Sequence, residues 1–306
     1  MAIVWPYYGV GTHPGRFLRP VFIETIELIT AIIRGHTMQS SQATILYNKK
    51  IADGYFKMRL SWSAPVVRPG QFVMLRVSDG LDPLLRRPFG IYNVIGARTG
   101  AGFSFKRPTG MEILYHVVGK GTTMLSSKKP GEGINVLGPL GNGFPEPFEA
   151  RKVIMVAGGI GIAPMLPLAQ RLKSGVLLFG VRHKADTKII AGFSGLGCRI
   201  KFATEDGSRG FKGFVTGLLA DEIKPDSVIY ACGPAPMLKA VALMAHRAGI
   251  RCFVSLESAM ACGIGVCLGC AVKAAPLQAG YEAGVFRMVC SDGPVFDSMD
   301  IDWDTL

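Results

Sequence analysis

Charge is what this chain has least of. Only 18% of its 306 residues are charged, and acidic residues are outnumbered by basic ones, 22 to 34. Scarce charge leaves two readings open: a surface partly covered by a partner, or a large core. Disorder is excluded by the 49% hydrophobic content. The formal net charge of +12 is dispersed. No basic cluster is interleaved with aromatics and no nucleic-acid motif is present, so no nucleic-acid partner is expected. The surplus reads as solvated surface with a few anion-contacting positions. No apolar run is long enough to span a membrane. The best, Val21 to Ile33, contains Glu24 and Glu27 and reads as a short amphipathic helix, so no membrane partner is expected. Repeats and low-complexity tracts are lacking too.

Seven cysteines are present, at 198, 232, 252, 262, 267, 270 and 290. An odd number with no standard secretory signal ahead of it argues against an extracellular disulfide framework. Three of them fall close together, which points to metal ligation in a reducing cytoplasm.

The length suits two or three domains. Residues 1–37 stand apart, as a docking helix or an upstream start without a function. Residues 38–149 read as β-structure. Short alternating runs at Tyr55 to Leu60, Gln71 to Val77, Gly90 to Ile95 and Glu112 to Val118 are separated by turns such as Pro69-Gly70 and Pro130-Gly131. Their regular spacing predicts a small antiparallel barrel. From about residue 150 to 250 the pattern changes. Val153 to Ala157, Gly175 to Gly180, Arg199 to Thr204 and Ser227 to Ala231 read as buried parallel strands alternating with helices, a doubly wound α/β domain. Residues 251–306 form a cysteine-rich tail, expected as a third, small unit.

That tail reads Cys262-Gly-Ile-Gly-Val-Cys267-Leu-Gly-Cys270, with Cys290 further on. This is C-x4-C-x2-C…C, the spacing of plant-type 2Fe-2S proteins. Gly263, Gly265 and Gly269 let the loop turn sharply and aim N–H groups at sulfur. Structural zinc is the rival, but zinc sites favour two separated short pairs rather than three cysteines plus one.

Two further turns sit after predicted strands. Val153 to Ala157 runs into Gly158-Gly159-Ile-Gly161-Ile-Ala-Pro164, where glycines allow close backbone approach, a helix N-terminus can hold a pyrophosphate, and Pro164 suits the first helical turn. Tyr230-Ala-Cys232-Gly233-Pro234 falls at the carboxyl edge of the predicted sheet, where ligands bind; Cys232 reads equally well as a small buried residue. In the barrel, Arg86-Arg87-Pro88-Phe89-Gly90 offers bidentate phosphate contacts, one Arg facing a ligand and the other away. Leu114-Tyr115-His116 precedes a turn at Gly121-Thr122. Tyr115 can stack on a planar ring or simply pack in the barrel.

Taken in order, Arg-Arg-Pro, Gly-Pro-Leu-Gly-Asn-Gly-Phe at Gly138 to Phe144, the glycine turn, Cys-Gly-Pro, the cysteine loop and Cys-x-Asp-Gly-Pro-Val-Phe at Cys290 to Phe296 resemble the electron-transfer subunit of type B dihydroorotate dehydrogenase, within the ferredoxin-reductase-like superfamily. The resemblance covers roughly residues 40 to 297. It implies FAD contacts at Arg87, Pro88, Phe89, Gly90, Leu114, Tyr115, His116, Gly121 and Thr122. The cluster ligands it implies are Cys262, Cys267, Cys270 and Cys290. Gly158, Gly159 and Gly161 are implied for the nicotinamide nucleotide, with Cys232 near its reactive ring. Two positions depart from the family pattern: Gly90 stands where Ser is usual, and His116 where Arg is usual, replacing a fixed charge by one that titrates.

The resemblance implies electron transfer from the FMN of a separate catalytic subunit through a 2Fe-2S cluster and FAD to NAD, in pyrimidine synthesis. It also implies a heterotetramer with two copies of each subunit. No side chain is singled out as an acid–base catalyst. NAD rather than NADP is expected, because no Ser-Arg pair ends the second α/β strand, which reads Gly180-Val-Arg182-His183-Lys184. The nearest rival is the small subunit of another NAD(P)H-linked ferredoxin or sulfide reductase. A rival of another class is a non-catalytic scaffold with a degenerate reductase fold; the complete cysteine set and the intact Arg-Arg-Pro oppose it.

Overall fold

Apolar residues at every second position force the first half of the chain to close on itself. In β2 (Tyr55–Ser61), Met58 and Leu60 point inward while Lys57 and Arg59 between and beside them do not. The other barrel strands are β1 (Gln39–Ala52), β4 (Phe72–Arg76), β5 (Arg87–Ile95), β8 (Gly110–His116) and β9 (Gly133–Leu140), of which β4 and β8 are buried along nearly their whole length. These six antiparallel strands close in the order β1-β2-β8-β5-β4-β9. Ile45, Met58, Val73, Leu75, Met111 and Ile113 fill the interior, each fully buried. The short strands β3 (Val66–Val67), β6 (Arg98–Thr99) and β7 (Phe105–Lys106) make a separate flap. Closure leaves no main strand edge unpaired.

The computed structural model describes residues 39–64, 66–99, 104–147, 152–172, 174–275 and 284–306, within the compact unit that starts at Met38. The helix expected over Val21 to Ile33 lies outside them. Among the described residues no helix is long and apolar enough to cross a membrane.

After the barrel the strands become continuously apolar, which demands cover on both faces. β10 (Lys152–Gly158), β11 (Gly175–Val181), β12 (Cys198–Thr204), β13 (Phe211–Lys212), β14 (Ser227–Cys232) and β15 (Arg251–Ser255) run parallel in the order β13-β12-β11-β10-β14-β15. Helices α2 (Met165–Arg171), α3 (Thr216–Glu222) and α4 (Ala235–Arg247) cover the sheet, while α1 (Lys120–Ser127) belongs to the barrel half. The stretch read as a separate tail contributes to this sheet. β15 pairs with β14, and β18 (Val295–Asp297) adds an antiparallel edge to β15. The reason is apolar: Cys252, Phe253 and Val254 are buried in the sheet's cores. The hairpin of β16 (Ala271–Lys273) and β17 (Phe286–Met288) lies between β15 and β18 in sequence.

Barrel and sheet share one core. Phe72, Met74 and Leu140 from the barrel pack in the same cluster as Ile154, Val156 and Ile229 of the sheet. The Gln170 amide adds a hydrogen bond to Asn93 at 2.9 Å.

One buried carboxylate ties the amino edge of the sheet to α3. Glu222, 4% exposed, takes contacts from Lys152, Arg199 and Lys201 at 2.6–2.8 Å. Burial alone would raise its carboxyl, but the three cations outweigh that and hold it at about 2. A carboxyl depressed in the folded state contributes stability above its ordinary value near 4.5 and loses it as pH falls toward 2. The gap in thermal midpoint between wild type and Glu222→Gln should therefore be constant above about pH 5 and shrink on further acidification, as followed by circular dichroism.

Candidate cofactor site

A mostly apolar cavity of about 370 Å³ opens between the barrel and the carboxyl edge of the sheet. Its barrel wall carries Phe72, Pro88, Phe89, Gly90, Leu114, Tyr115, His116, Val118 and Thr122. Its other wall carries Ile160, Ala163, Pro164, Cys232, Ser255, Leu256, Glu257, Ser258 and Met260. Eight of the residues singled out from sequence thus meet around one space: Pro88, Phe89, Gly90, Leu114, Tyr115, His116, Thr122 and Cys232. Arg87, Gly121, Gly158, Gly159 and Gly161 lie off its wall.

On the barrel side, Tyr115 packs in the barrel and also lines the cavity. Its ring packs with Phe56 and Phe89 in the barrel core, its hydroxyl donates to Asn48 Oδ1 at 2.9 Å, and its edge reaches the cavity. His116 stacks on Tyr55 with ring centroids 4.3 Å apart. Gly54, at φ +69°, lies beneath it, where a Cβ would come within 2.7 Å of the imidazole. Gly90 leaves a gap: a Cβ there would meet only Pro164, at 3.9 Å.

The two arginines diverge. Arg86 donates to the Asn135 carbonyl on β9 at 3.4 Å. Arg87 turns the other way and donates to the Leu85 carbonyl at 2.8 Å. Its side chain lies against Gly121, where a Cβ would sit 3.1 Å from Nε. The turn into α1 is locked by Thr122, whose hydroxyl accepts from the N–H groups of Val118 and Gly119. A guanidinium beside a helix start makes an anion-binding corner.

On the sheet side, the glycine turns exist largely for each other. A Cβ on Gly161 would stand 2.2 Å from the Cys232 carbonyl oxygen, and one on Gly158 would stand 2.7 Å from Met237 Sδ. Gly159, at φ +52°, has nothing within 4 Å and is the one free to face a ligand. Pro164 caps α2 instead of sitting in its first turn, because a 3-10 turn over Gly159–Ile162 comes first. The Cys232 thiol is buried, and burial together with the Glu257 carboxylate pushes it well above its ordinary range. Glu257 keeps access to solvent through the cavity, yet the surrounding protein raises its carboxyl.

Ser255 to Met260 carried no spacing signature. The available signal was position: Ser255 ends β15 in register with Cys232, at the carboxyl edge where open α/β sheets bind ligands.

Two residues beyond Met260 the cysteine loop begins. Its thiols fall into two pairs. Cys270 and Cys290 sulfurs are 3.2 Å apart, and Cys262 hydrogen-bonds Cys267. Backbone N–H groups point at sulfur, from Gly265 to Cys290 at 3.0 Å and from Ile264 to Cys262 at 3.4 Å. Gly263 and Gly265 have positive φ, and so does Leu268, at +58°, a conformation rarely adopted without a functional reason. Burial would raise the Cys262 thiol, but the N–H groups of Ile264, Cys267 and Val266 overcome it and bring it to about 6. Cys290 is pushed up to about 12 by burial and by the neighbouring Cys270. Two crowded thiols can both ionise only beside positive charge. Among the described residues no three His, Cys, Asp or Glu side chains form a group that could hold a metal ion. Two pairs of thiols, each suited to one iron, match the donor set a two-iron cluster requires. Ile264, Val266 and Leu268 face outward, at 41%, 74% and 65% exposure.

Comparison with known proteins gives the class first. Residues 155–242 match a family model for the oxidoreductase NAD-binding domain, and residues 257–302 match the iron-sulfur cluster binding domain of dihydroorotate dehydrogenase B. In fold the chain resembles a ferredoxin NADP+ reductase from Neisseria gonorrhoeae (TM-score 0.56, 18% identity, covering 69% of this chain and 92% of that one). It is also similar to a chain of the NADH-dependent reduced ferredoxin-NADP oxidoreductase (TM-score 0.69, 31% identity, covering 86% of this chain and 91% of that one). These define an NAD-linked oxidoreductase of ferredoxin-reductase fold with an iron-sulfur domain. Curated relatives narrow this further. The electron transfer subunit of dihydroorotate dehydrogenase B (NAD(+)) from Caldanaerobacter subterraneus subsp. tengcongensis is 39% identical over 83% of this chain and 95% of the relative. That from Desulforamulus reducens is 40% identical over 77% and 87%. The chain belongs to the family of electron transfer subunits of dihydroorotate dehydrogenase B.

The contact between the glycine turns is open to test. Gly161→Ala must push the Cys232 carbonyl away and should cost about 1–3 kcal/mol of stability, read from denaturant unfolding.

Proposed function

We propose that this subunit binds FAD in the cavity, NAD against the carboxyl edge of the sheet and a 2Fe-2S cluster on the cysteine loop, and passes electrons between NAD and a separate catalytic subunit. The observation that carries this reading is the continuity of one segment: Ser255 to Met260 lines the cavity, and Cys262 opens the loop directly after it. When bound, NAD exchanges hydride and the cluster exchanges single electrons, with FAD converting between the two.

The chain's own work is to bind and to place. Arg87 and the N–H groups of the Gly121-Thr122 turn hold the pyrophosphate of FAD. Pro88, Phe89, Gly90, Leu114, Tyr115 and His116 shape the wall for its flat ring. Gly158, Gly159 and Gly161 set the turn that admits the dinucleotide NAD, and Cys232 closes the far wall as a neutral thiol. Cys262, Cys267, Cys270 and Cys290 supply the four thiolates. In this division residues 38–149 serve FAD, 150–250 serve NAD and 251–306 serve the cluster. The partner is an FMN-bearing catalytic subunit that oxidises dihydroorotate, in a cytoplasmic heterotetramer with two copies of each, serving pyrimidine (UMP) synthesis. Ile264, Val266 and Leu268 supply the apolar contact with it. The similarity to the ferredoxin-NADP oxidoreductase chain supports a second reading, a subunit of an NAD(P)H-linked ferredoxin reductase.

Co-expression separates the two. With the FMN-bearing subunit, the complex should oxidise dihydroorotate with NAD, preferred over NADP, while the isolated chain should reduce only artificial acceptors. Failure to bind that subunit, together with turnover of reduced ferredoxin, would favour the second reading.

Two substitutions test the site assignments. Cys290→Ser should lose most iron and acid-labile sulfide, whereas Cys198→Ser, at the amino end of β12, should keep both. Arg87→Ala should weaken FAD binding by about 1.5–3 kcal/mol through loss of a charge-assisted hydrogen bond, measured by flavin release on dilution.

A further inference from the structure

The cavity and the cysteine loop are joined twice, and a methionine stands at each join. Along β4, Phe72 and Met74 share one face, since side chains alternate along a strand. Phe72 lines the cavity. Met74, fully buried, presses on the loop: a Cβ on Gly263 would lie 2.7 Å from Met74 Cγ and 3.1 Å from Sδ. Gly263, at φ +75°, has no side chain to hold the loop off. From the opposite wall, Met260 faces the cavity, and the backbone carries it in two residues to Cys262. Phe72, Met74, Leu256, Cys270 and Cys290 belong to one packed cluster with Met260 against it. Close-packed interiors of this kind leave few voids. Thioethers are flexible and polarisable, able to fill an irregular seam between two bodies.

We infer that Met74 and Met260 are positioning residues that form the packed bridge for electrons between the cavity and the cysteine loop. This rests on the proposed function. Each passage moves one electron, oxidising the flavin by one and reducing the cluster by one. No bond forms or breaks in the bridge, the methionines are not oxidised, and any proton released goes to water.

The test uses the full subunit loaded with FAD and cluster, under anaerobic conditions. Laser-flash photoreduction would follow the flavin and cluster absorbance bands separately in wild type, Met260→Ala, Met74→Ala and the corresponding Leu variants. Iron, sulfide and FAD per chain and the visible circular dichroism spectrum would be measured alongside. Expected is internal exchange several-fold slower per loaded chain in each Ala variant, a larger loss than any change in flavin reduction by NADH measured on the same sample. The Leu variants, which keep the packing, should stay near the wild-type rate. Met260 is only partly buried, so Met260→Ala decides if Met74→Ala does not load. Wild-type exchange in a fully loaded Met260→Ala chain would overturn the inference. Loss of the cluster from that variant would overturn it too, leaving the residue a structural role. A wild-type chain that binds neither FAD nor cluster would instead sink the proposed function.

Discussion

The site depends on what one asparagine holds together. Asn142 follows the last barrel strand, and its amide donates to the carbonyls of Asp292 and Val295, at 2.8 and 2.9 Å, while its side-chain oxygen accepts from the Val295 N–H at 3.0 Å. Its own N–H donates to the Gly293 carbonyl at 2.6 Å. Four hydrogen bonds thus fasten the barrel to the segment just after Cys290. Gly141 makes the approach possible, since a Cβ there would be 2.5 Å from Pro294. This clamp acts with the shared core to fix the distance between the two walls of the cavity.

Electrostatics follow the same economy. With few charges to spend, the chain places its ionisable groups where neighbours decide their state. Glu222 is held anionic by three cations, Glu257 is pushed toward neutrality by its surroundings, and Cys232 remains a thiol. In the cysteine loop the backbone supplies positive dipole ends, so part of the thiolate stabilisation comes from N–H groups that any sequence possesses. The glycines there matter for direction: they turn those groups toward sulfur.

Local signals were legible in the sequence, and long-range ones were not. Barrel strands such as Tyr55–Ser61 follow from alternation, and the cysteine loop from spacing, because both are properties of adjacent residues. Leu256 to Met260 left no such trace. Their place on the cavity wall depends on β15 pairing with β14, a contact between distant segments that also draws β15 and β18 out of the expected tail and into the sheet. The glycines after β10 were readable as a close approach, but not which approach: Gly161 abuts Cys232 and only Gly159 stands open. Likewise the Gly138 to Phe144 motif was visible, whereas the clamp made by its Asn142 needs the fold to be seen.

The pairing of β15 with β18 places Ser255 opposite Val295, and the Leu256 N–H bonds the Pro294 carbonyl at 2.8 Å. The excursion that carries the cysteines therefore leaves and re-enters the sheet at neighbouring points, like a cartridge in a socket. Lengthening such a loop adds little closure entropy once its ends are fixed. Evolution can thus exchange, shorten or strip the cartridge while leaving strand order and cavity intact, so one reductase frame can serve different electron carriers.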